Sequence, residues 1–145
     1  MSRDNQSGPG RPPPLPLLRA FSHLHVGLYR LTRLLGDPSC LVTMTGAKSG
    51  ARRTLPLMHI PHGDAVILVA SQGGAPRHPA WYYNLVAHPD IEIEMSGRRR
   101  ELRARLVAGE ERAELWPVCV KRWAGYEGYS KRTTREIPVF LCEPR

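Results

Sequence analysis

From Cys40 to Cys142 the chain is a succession of short β-rich segments joined largely by hairpin turns, and this restricts the available folds more than any other feature. "CLVTMT" (Cys40–Thr45) is short and apolar, and "RTLPLMHI" (Arg53–Ile60) is a second strand candidate. "PHGD" reads as a turn into "AVILVAS" (Ala65–Ser71), a hairpin signal. "IEIEM" alternates, "SGR" turns and "RELRARLV" alternates again, the pattern of two half-buried strands. "EIPVFLC" supplies a last strand. Six strands joined in this way, with few helices, predict a mainly β fold, an antiparallel barrel with helical decoration.

Helices are predicted at three places. Leu17, Phe21, Leu24, Leu28, Leu31 and Leu35 recur at spacings of three and four, which makes residues 15–35 an amphipathic helix with Arg19, His23, Arg30 and Arg33 opposite the stripe. Its apolar face packs on the domain, or else the helix lies on an anionic membrane. "HPAWYYNLVAHPD" reads as a short helix beginning near Pro79. "GEERAELWPVCVKRW" carries acids in its first turn and bases near its end, as the helix dipole favours, and Pro117 is expected to kink it or cut it short. Residues 1–14, rich in Pro, Gly and polar side chains, read as a disordered leader, so residues 15–145 form one expected domain.

The formal net charge of +8 points to an anionic partner, with a surface that simply carries excess Arg as the competing explanation. Cys40, Cys119 and Cys142 match neither a CxxC pair nor zinc-ligand spacing and read as reduced thiols of a cytoplasmic protein; no metal site is expected. No secretory signal or membrane-spanning run is evident.

Three segments carry chemistry. In "TGAKSGARR" (Thr45–Arg53), Gly46 and Gly50 let backbone N–H groups approach an anion, with Lys48, Ser49, Arg52 and Arg53 around it. The spacing is not that of a Walker loop, and a solvated turn competes with the phosphate reading. In "SQGGAPRHPAWYYN", Gly73 and Gly74 allow main chain to lie against a flat ligand, and Trp81 and Asn84 share a helix face. A core tryptophan is the plainer reading of Trp81. His78 has no second ligand at metal spacing and reads as an oriented structural histidine. Ser71 lacks the frame of a hydrolase nucleophile. In "WAGYEGYSKRTTREIPV", Trp123, Tyr126 and Tyr129 fall three apart, either a ring-lined lid over a pocket or an aromatic stripe packed on the barrel.

Together "VTMTGAKSGARRTLPL", "SQGGAPRHPAWYYNL" and "YEGYSKRTTREIPVF" resemble, in this order, the deazaflavin-dependent nitroreductase and quinone reductase family of actinobacteria, over roughly Phe21 to Pro144. The resemblance implies a split β-barrel that binds reduced coenzyme F-420, a deazaflavin with a phosphate and polyglutamate tail, and passes its hydride to a quinone, nitro compound or other activated acceptor. FMN is the alternative cofactor. The implied cofactor-binding positions are Ala47, Lys48, Ser49, Arg53, Thr54, Pro56, Leu57, Met58, Val69, Ala70, Ser71, Gln72, Ala80, Trp81 and Asn84. Lys48, Ser49 and Arg53 would grip phosphate and tail, the backbone from Ser71 to Gly74 would lie along the ring, and Trp81 and Asn84 would close its other side. Ser71, Tyr126 and Tyr129 are the implied catalytic residues, and Trp123, Tyr126 and Tyr129 the acceptor-binding ones. The chain departs from the family pattern at Ala47, where Arg is usual and Arg52 is the expected substitute cation, at Gln72, at Met58 and at Trp123.

Two readings compete with a reductase: a carrier of a deazaflavin or flavin-type ligand without reductase activity, and a nucleic-acid-binding barrel using "RRRELRAR" (Arg98–Arg105). In that segment the cations alternate with Leu102 and others, which suits an ordinary solvated face, so no nucleic-acid partner is expected. The expected location is cytoplasmic, with peripheral contact at the inner face of the plasma membrane left open along with oligomeric state.

Overall fold

The computed structural model describes residues 39–145; the predicted leader and N-terminal helix lie outside the described residues. Seven strands form one antiparallel sheet in the order β2-β1-β5-β6-β7-β4-β3. They are β1 (Ser39–Thr45), β2 (Arg52–Met58), β3 (Ile60–His62), β4 (Ala65–Val69), β5 (Asp90–Met95), β6 (Arg98–Leu106) and β7 (Val139–Pro144). The sheet curls until β2 and β4 approach one another, giving an open half-barrel. The β5–β6 hairpin is the one the alternating pattern predicts, and β1 and β2 pair as a further hairpin across the Gly46–Gly50 loop. The third, β3–β4, differs from expectation: "RTLPLMHI" is not one strand, because His59 separates β2 from the short β3, which pairs with β4 instead. Seven strands therefore replace the expected six.

The strands differ in apolar character because they differ in how many faces they bury. In β4 every residue is buried, Val66 and Leu68 into the barrel core, and Ala65, Ile67 and Val69 into a second core under the helices. A strand covered on both faces reads as a continuous apolar run, whereas β6 buries only Leu102 and Ala104 and therefore alternates. Helix α1 (Ala80–Ala87) plugs the barrel with Trp81 and Leu85, one turn apart on one face. Helices α2 (Gly109–Arg122) and α3 (Gly125–Arg132) cover the outer face of β4 and β7 through Leu115, Cys119 and Tyr126.

Pro117 does not shorten α2, which runs unbroken to Arg122. Pro117 and Ala113, whose carbonyl loses its helical donor, are both exposed, so water can serve the freed carbonyl. Cys40, Cys119 and Cys142 are free and buried; burial pushes the Cys40 thiol up to about 12, which leaves it inert. The basic run of β6 is answered by neighbouring acids. Arg99 lies 3.8 Å from both Glu92 and Glu94, Arg103 is 3.6 Å from Asp90, and Arg105 reaches Glu143 at 3.1 Å. Arg99, Arg103 and Arg105 thus lie beside carboxylates on an exposed face. No helix among the described residues is long and apolar enough to cross a membrane.

Phe140 stands at the centre of the barrel core, 5.9 Å from the Trp81 ring and 5.7 Å from the Tyr82 ring. Phe140→Ala is expected to cost about 3–5 kcal/mol of stability, read as a lower urea midpoint.

Candidate active site

The loop between β1 and β2 is closed on itself. Gly46 N–H donates to the Ala51 carbonyl at 2.8 Å, Gly50 N–H to the Gly46 carbonyl at 2.9 Å, and the Ser49 hydroxyl accepts the Ala51 N–H at 3.2 Å. A side chain at Gly46 would meet the Ser49 hydroxyl at 2.7 Å and the Ala51 carbonyl oxygen at 3.3 Å, so it would displace the Ser49 side chain from this turn. Asn84 of α1 ties this loop to the barrel. Its Oδ1 accepts the Ala47 N–H at 2.9 Å while its Nδ2 donates to the Met44 sulfur at 3.5 Å. The amide that shares a face with Trp81 therefore holds the loop in place.

After β4 the chain makes a 3₁₀ turn at Gln72–Gly74. Gly74 is buried at φ +79, and a Cβ there would lie 2.7 Å from the Tyr129 carbonyl oxygen. Its absence of side chain serves the close approach of α3, and Gly73 rather than Gly74 borders open space. The turn is held from the other side by Arg135, just before β7. Arg135 donates to the carbonyls of Ala75 (2.8 Å), Ser71 (2.8 Å) and Ala70 (3.3 Å), and its Nη1 meets His78 Nδ1 at 2.9 Å. His78 is thus an oriented histidine, as its isolation in sequence suggests.

Two clefts meet at Trp81, which is 8% exposed and lines both. The first, about 660 Å³, brings together Ala47, Lys48, Ser49, Arg53, Ala80, Trp81 and Asn84. Leu55, Arg77, His78 and Tyr83 complete it. Its three cations, Lys48, Arg53 and Arg77, meet no carboxylate among the described residues. Arg52 does not line this cleft; the additional cation is Arg77. The second, about 370 Å³, is lined by Pro56, Leu57, Met58, Val69, Ser71, Gln72, Trp123, Tyr126 and Tyr129 with Trp81, Gly73 and Pro79, and carries no charged side chain. Thr54 and Ala70 line neither. The Thr54 hydroxyl is bonded to that of Thr43 across the hairpin at 2.9 Å, and Ala70 is fully buried.

In the uncharged cleft the Tyr126 hydroxyl donates to the Met58 sulfur at 3.4 Å, and its ring meets that of Tyr129 edge-on at 6.3 Å. Burial, with lesser contributions from Cys119 and Tyr129, pushes the Tyr126 phenol up to about 12, so it stays protonated at neutral pH and keeps its proton to donate. Tyr126 both packs in the second core and lines the cleft, while Trp123, outside α3, is 45% exposed at the rim.

A family model described as F-420H(2)-dependent quinone reductase matches residues 21–144. The chain belongs to that family. An F-420H(2)-dependent quinone reductase of Mycobacterium tuberculosis is 40% identical over 132 residues, covering 84% of this chain and 89% of its own. Among solved structures, an F-420H(2)-dependent reductase designated FDR-A is similar with a TM-score of 0.69 and 40% identity, covering 74% of this chain and 95% of its own. The haem storage protein HutZ of Vibrio cholerae has a TM-score of 0.56 at 14% identity over 90% of this chain and 89% of its own, a likeness of fold alone. The split barrel inferred from sequence resemblance is the fold observed.

Within this quinone reductase chain, Asn84→Ala would leave the part-buried Ala47 N–H without its acceptor and free the cationic loop. The expected outcome is a stability loss of about 1–3 kcal/mol in urea titration, with faster amide exchange at Ala47 than in the parent.

Proposed function

We propose that the chain binds reduced coenzyme F-420 across Trp81 and passes its hydride to a neutral, flat acceptor of the quinone class. The observation that carries this reading is the division of the site by one tryptophan into a cationic cleft and an uncharged aromatic one. A ligand with an acidic tail and a planar ring matches both halves, and 660 Å³ is within the usual range of ligand sites. Lys48, Ser49, Arg53 and Arg77 would hold phosphate and tail, with Arg77 supplying the cation that Ala47 lacks. Ser71, Gln72, Met58 and Trp81 would flank the ring. When bound, the reduced deazaflavin supplies a hydride.

The residues of the second cleft do the remaining work. Its lack of charge favours an acceptor without carboxylate or phosphate, and Trp123, Tyr126 and Tyr129 present ring faces and edges to it. A quinone gains negative charge at oxygen as it accepts hydride, and a hydrogen-bond donor placed there lowers the barrier. Tyr126 is suited to this role: its phenol is neutral, and the thioether it meets in this structure is a weak acceptor that a carbonyl oxygen can displace. Tyr129 and Ser71 stand beside it as further donors. The test is oxidation of reduced coenzyme F-420 by purified protein in the presence of a menaquinone analogue, with nitroaromatic and carboxylated acceptors for comparison. Turnover with the quinone supports the reading; coenzyme binding without turnover on any acceptor would make the chain a carrier.

Lys48→Ala and Arg53→Ala are each expected to weaken coenzyme binding roughly tenfold or more through loss of a charge-assisted bond, with a smaller difference at high salt. Unchanged affinity in both removes the tail assignment. Tyr126→Phe or Tyr129→Phe is expected to lower quinone turnover about ten- to a thousandfold with coenzyme affinity within about twofold. Parental rates in both variants would reduce the tyrosines to pocket walls.

A further inference from the structure

We infer that Arg135 is the positioning residue of the coenzyme site, acting through the Ser71–Ala75 backbone and through a His78 that must be neutral; this rests on the coenzyme reading above. One guanidinium collects three carbonyls and an imidazole nitrogen, from Ala70, Ser71, Ala75 and His78. Every partner is uncharged. Among the described residues no carboxylate meets Arg135, although the adjacent Glu136 reaches Arg112 at 2.9 Å. The arrangement is therefore one of geometry rather than charge neutralisation. A planar fork with five donors can span these acceptors at once; an ammonium cannot.

What the fork fixes is the direction of two peptide groups. These peptides are trans, so carbonyls of Ala70 and Ser71 drawn to Arg135 turn the N–H groups of Ser71 and Gln72 the opposite way. Ser71, Gln72 and Gly73 line the uncharged cleft beside Trp81. The Ser71 carbonyl also accepts the Gly74 N–H at 2.9 Å, so the turn and the clamp share an acceptor. Loss of the fork would loosen the backbone that faces the ring while leaving the sheet intact.

His78 is the arm of the clamp that can change state. Its Nδ1 accepts from Arg135, which places the ring proton on Nε2. The Tyr82 ring lies tilted against it at 4.2 Å and the Tyr83 ring at 6.1 Å. Arg77 precedes it in the chain, and Lys48 and Arg53 line the same cleft from the opposite loop, so the charged groups that line this cleft with it are all cations. Burial, and next the charge of Arg135, lower the His78 pKa from its ordinary 6.5. A histidine depressed in this way contributes fully above that value and loses its contribution as pH falls below it. Protonated, Nδ1 becomes a donor aimed at a donor, and the clamp opens.

The experiment measures amide exchange in the free protein beside coenzyme affinity. In Arg135→Lys and Arg135→Ala, the Gly74 and Ala75 amides are expected to exchange at least about tenfold faster while Ile93 in the core strand β5 exchanges as before. Oxidised coenzyme F-420, followed by tryptophan fluorescence, is expected to bind at least about tenfold more weakly, with affinity partly regained by Arg135→Ala in methylguanidinium. Parental affinity should hold above the ordinary histidine value and fall as the pH is lowered beneath it, and His78→Asn, whose amide oxygen accepts without titrating, should flatten that fall. Parental exchange and affinity in Arg135→Lys overturn the positioning role, and an unchanged pH profile in His78→Asn overturns the histidine arm. If the parent binds no coenzyme F-420, the functional reading fails, and the exchange rates still decide whether Arg135 sets the turn.

Discussion

A single guanidinium organises the stretch between β4 and α1. Without Arg135 the carbonyls at the end of β4 and in the following turn would lie part-buried with fewer donors, an arrangement folded proteins avoid. With it, the chain can leave the sheet at Ala70, fold back over α3 at Gly74 and enter α1 at Ala80 in one fixed path. Trp81 is the second residue of that helix, and its packing against Phe140 in the barrel core completes what the clamp begins. The two clefts exist because Trp81 stands where it does.

The fold was legible in sequence wherever one face of a strand meets water. β5 and β6 alternate, and their hairpin is plain in "IEIEMSGRRRELRARL". β3 was not legible as a separate strand, since Ile60 is its one buried residue and "LPLMHI" reads as uninterrupted. Pro117 misled for a different reason: its cost depends on whether the carbonyl it orphans can reach water, which is a property of the assembled surface. Nothing in the local sequence reports that.

The candidate site was assembled from the sequence chiefly through resemblance. Of the positions it implies, the cations, the small loop residues and the aromatics converge on the two clefts, while Thr54 and Ala70 serve the sheet and core around them. Arg135 stood inside a quoted motif without a role. Its partners are backbone carbonyls 60 to 65 residues away and an imidazole 57 away, and a carbonyl has no sequence signature. Arg77 was passed over for Arg52 because Arg52 lies in the loop that carries Lys48, whereas Arg77 reaches the same cleft from a segment 24 residues further on than Arg53. Such residues become visible only when the sheet has brought distant loops together.

The Asn84 bridge has a consequence for how a two-part ligand comes and goes. It joins the anion-facing loop to the helix that bears Trp81, so the two halves of the site are struts of one frame rather than independent patches. A molecule with a ring at one end and a charged tail at the other is then held as a chelate. Once one end is seated, the other meets its half-site at an effective concentration on the order of millimolar, with no further loss of translational freedom. Release requires the second end to detach before the first rebinds, so two modest grips give a longer-lived complex than either would alone.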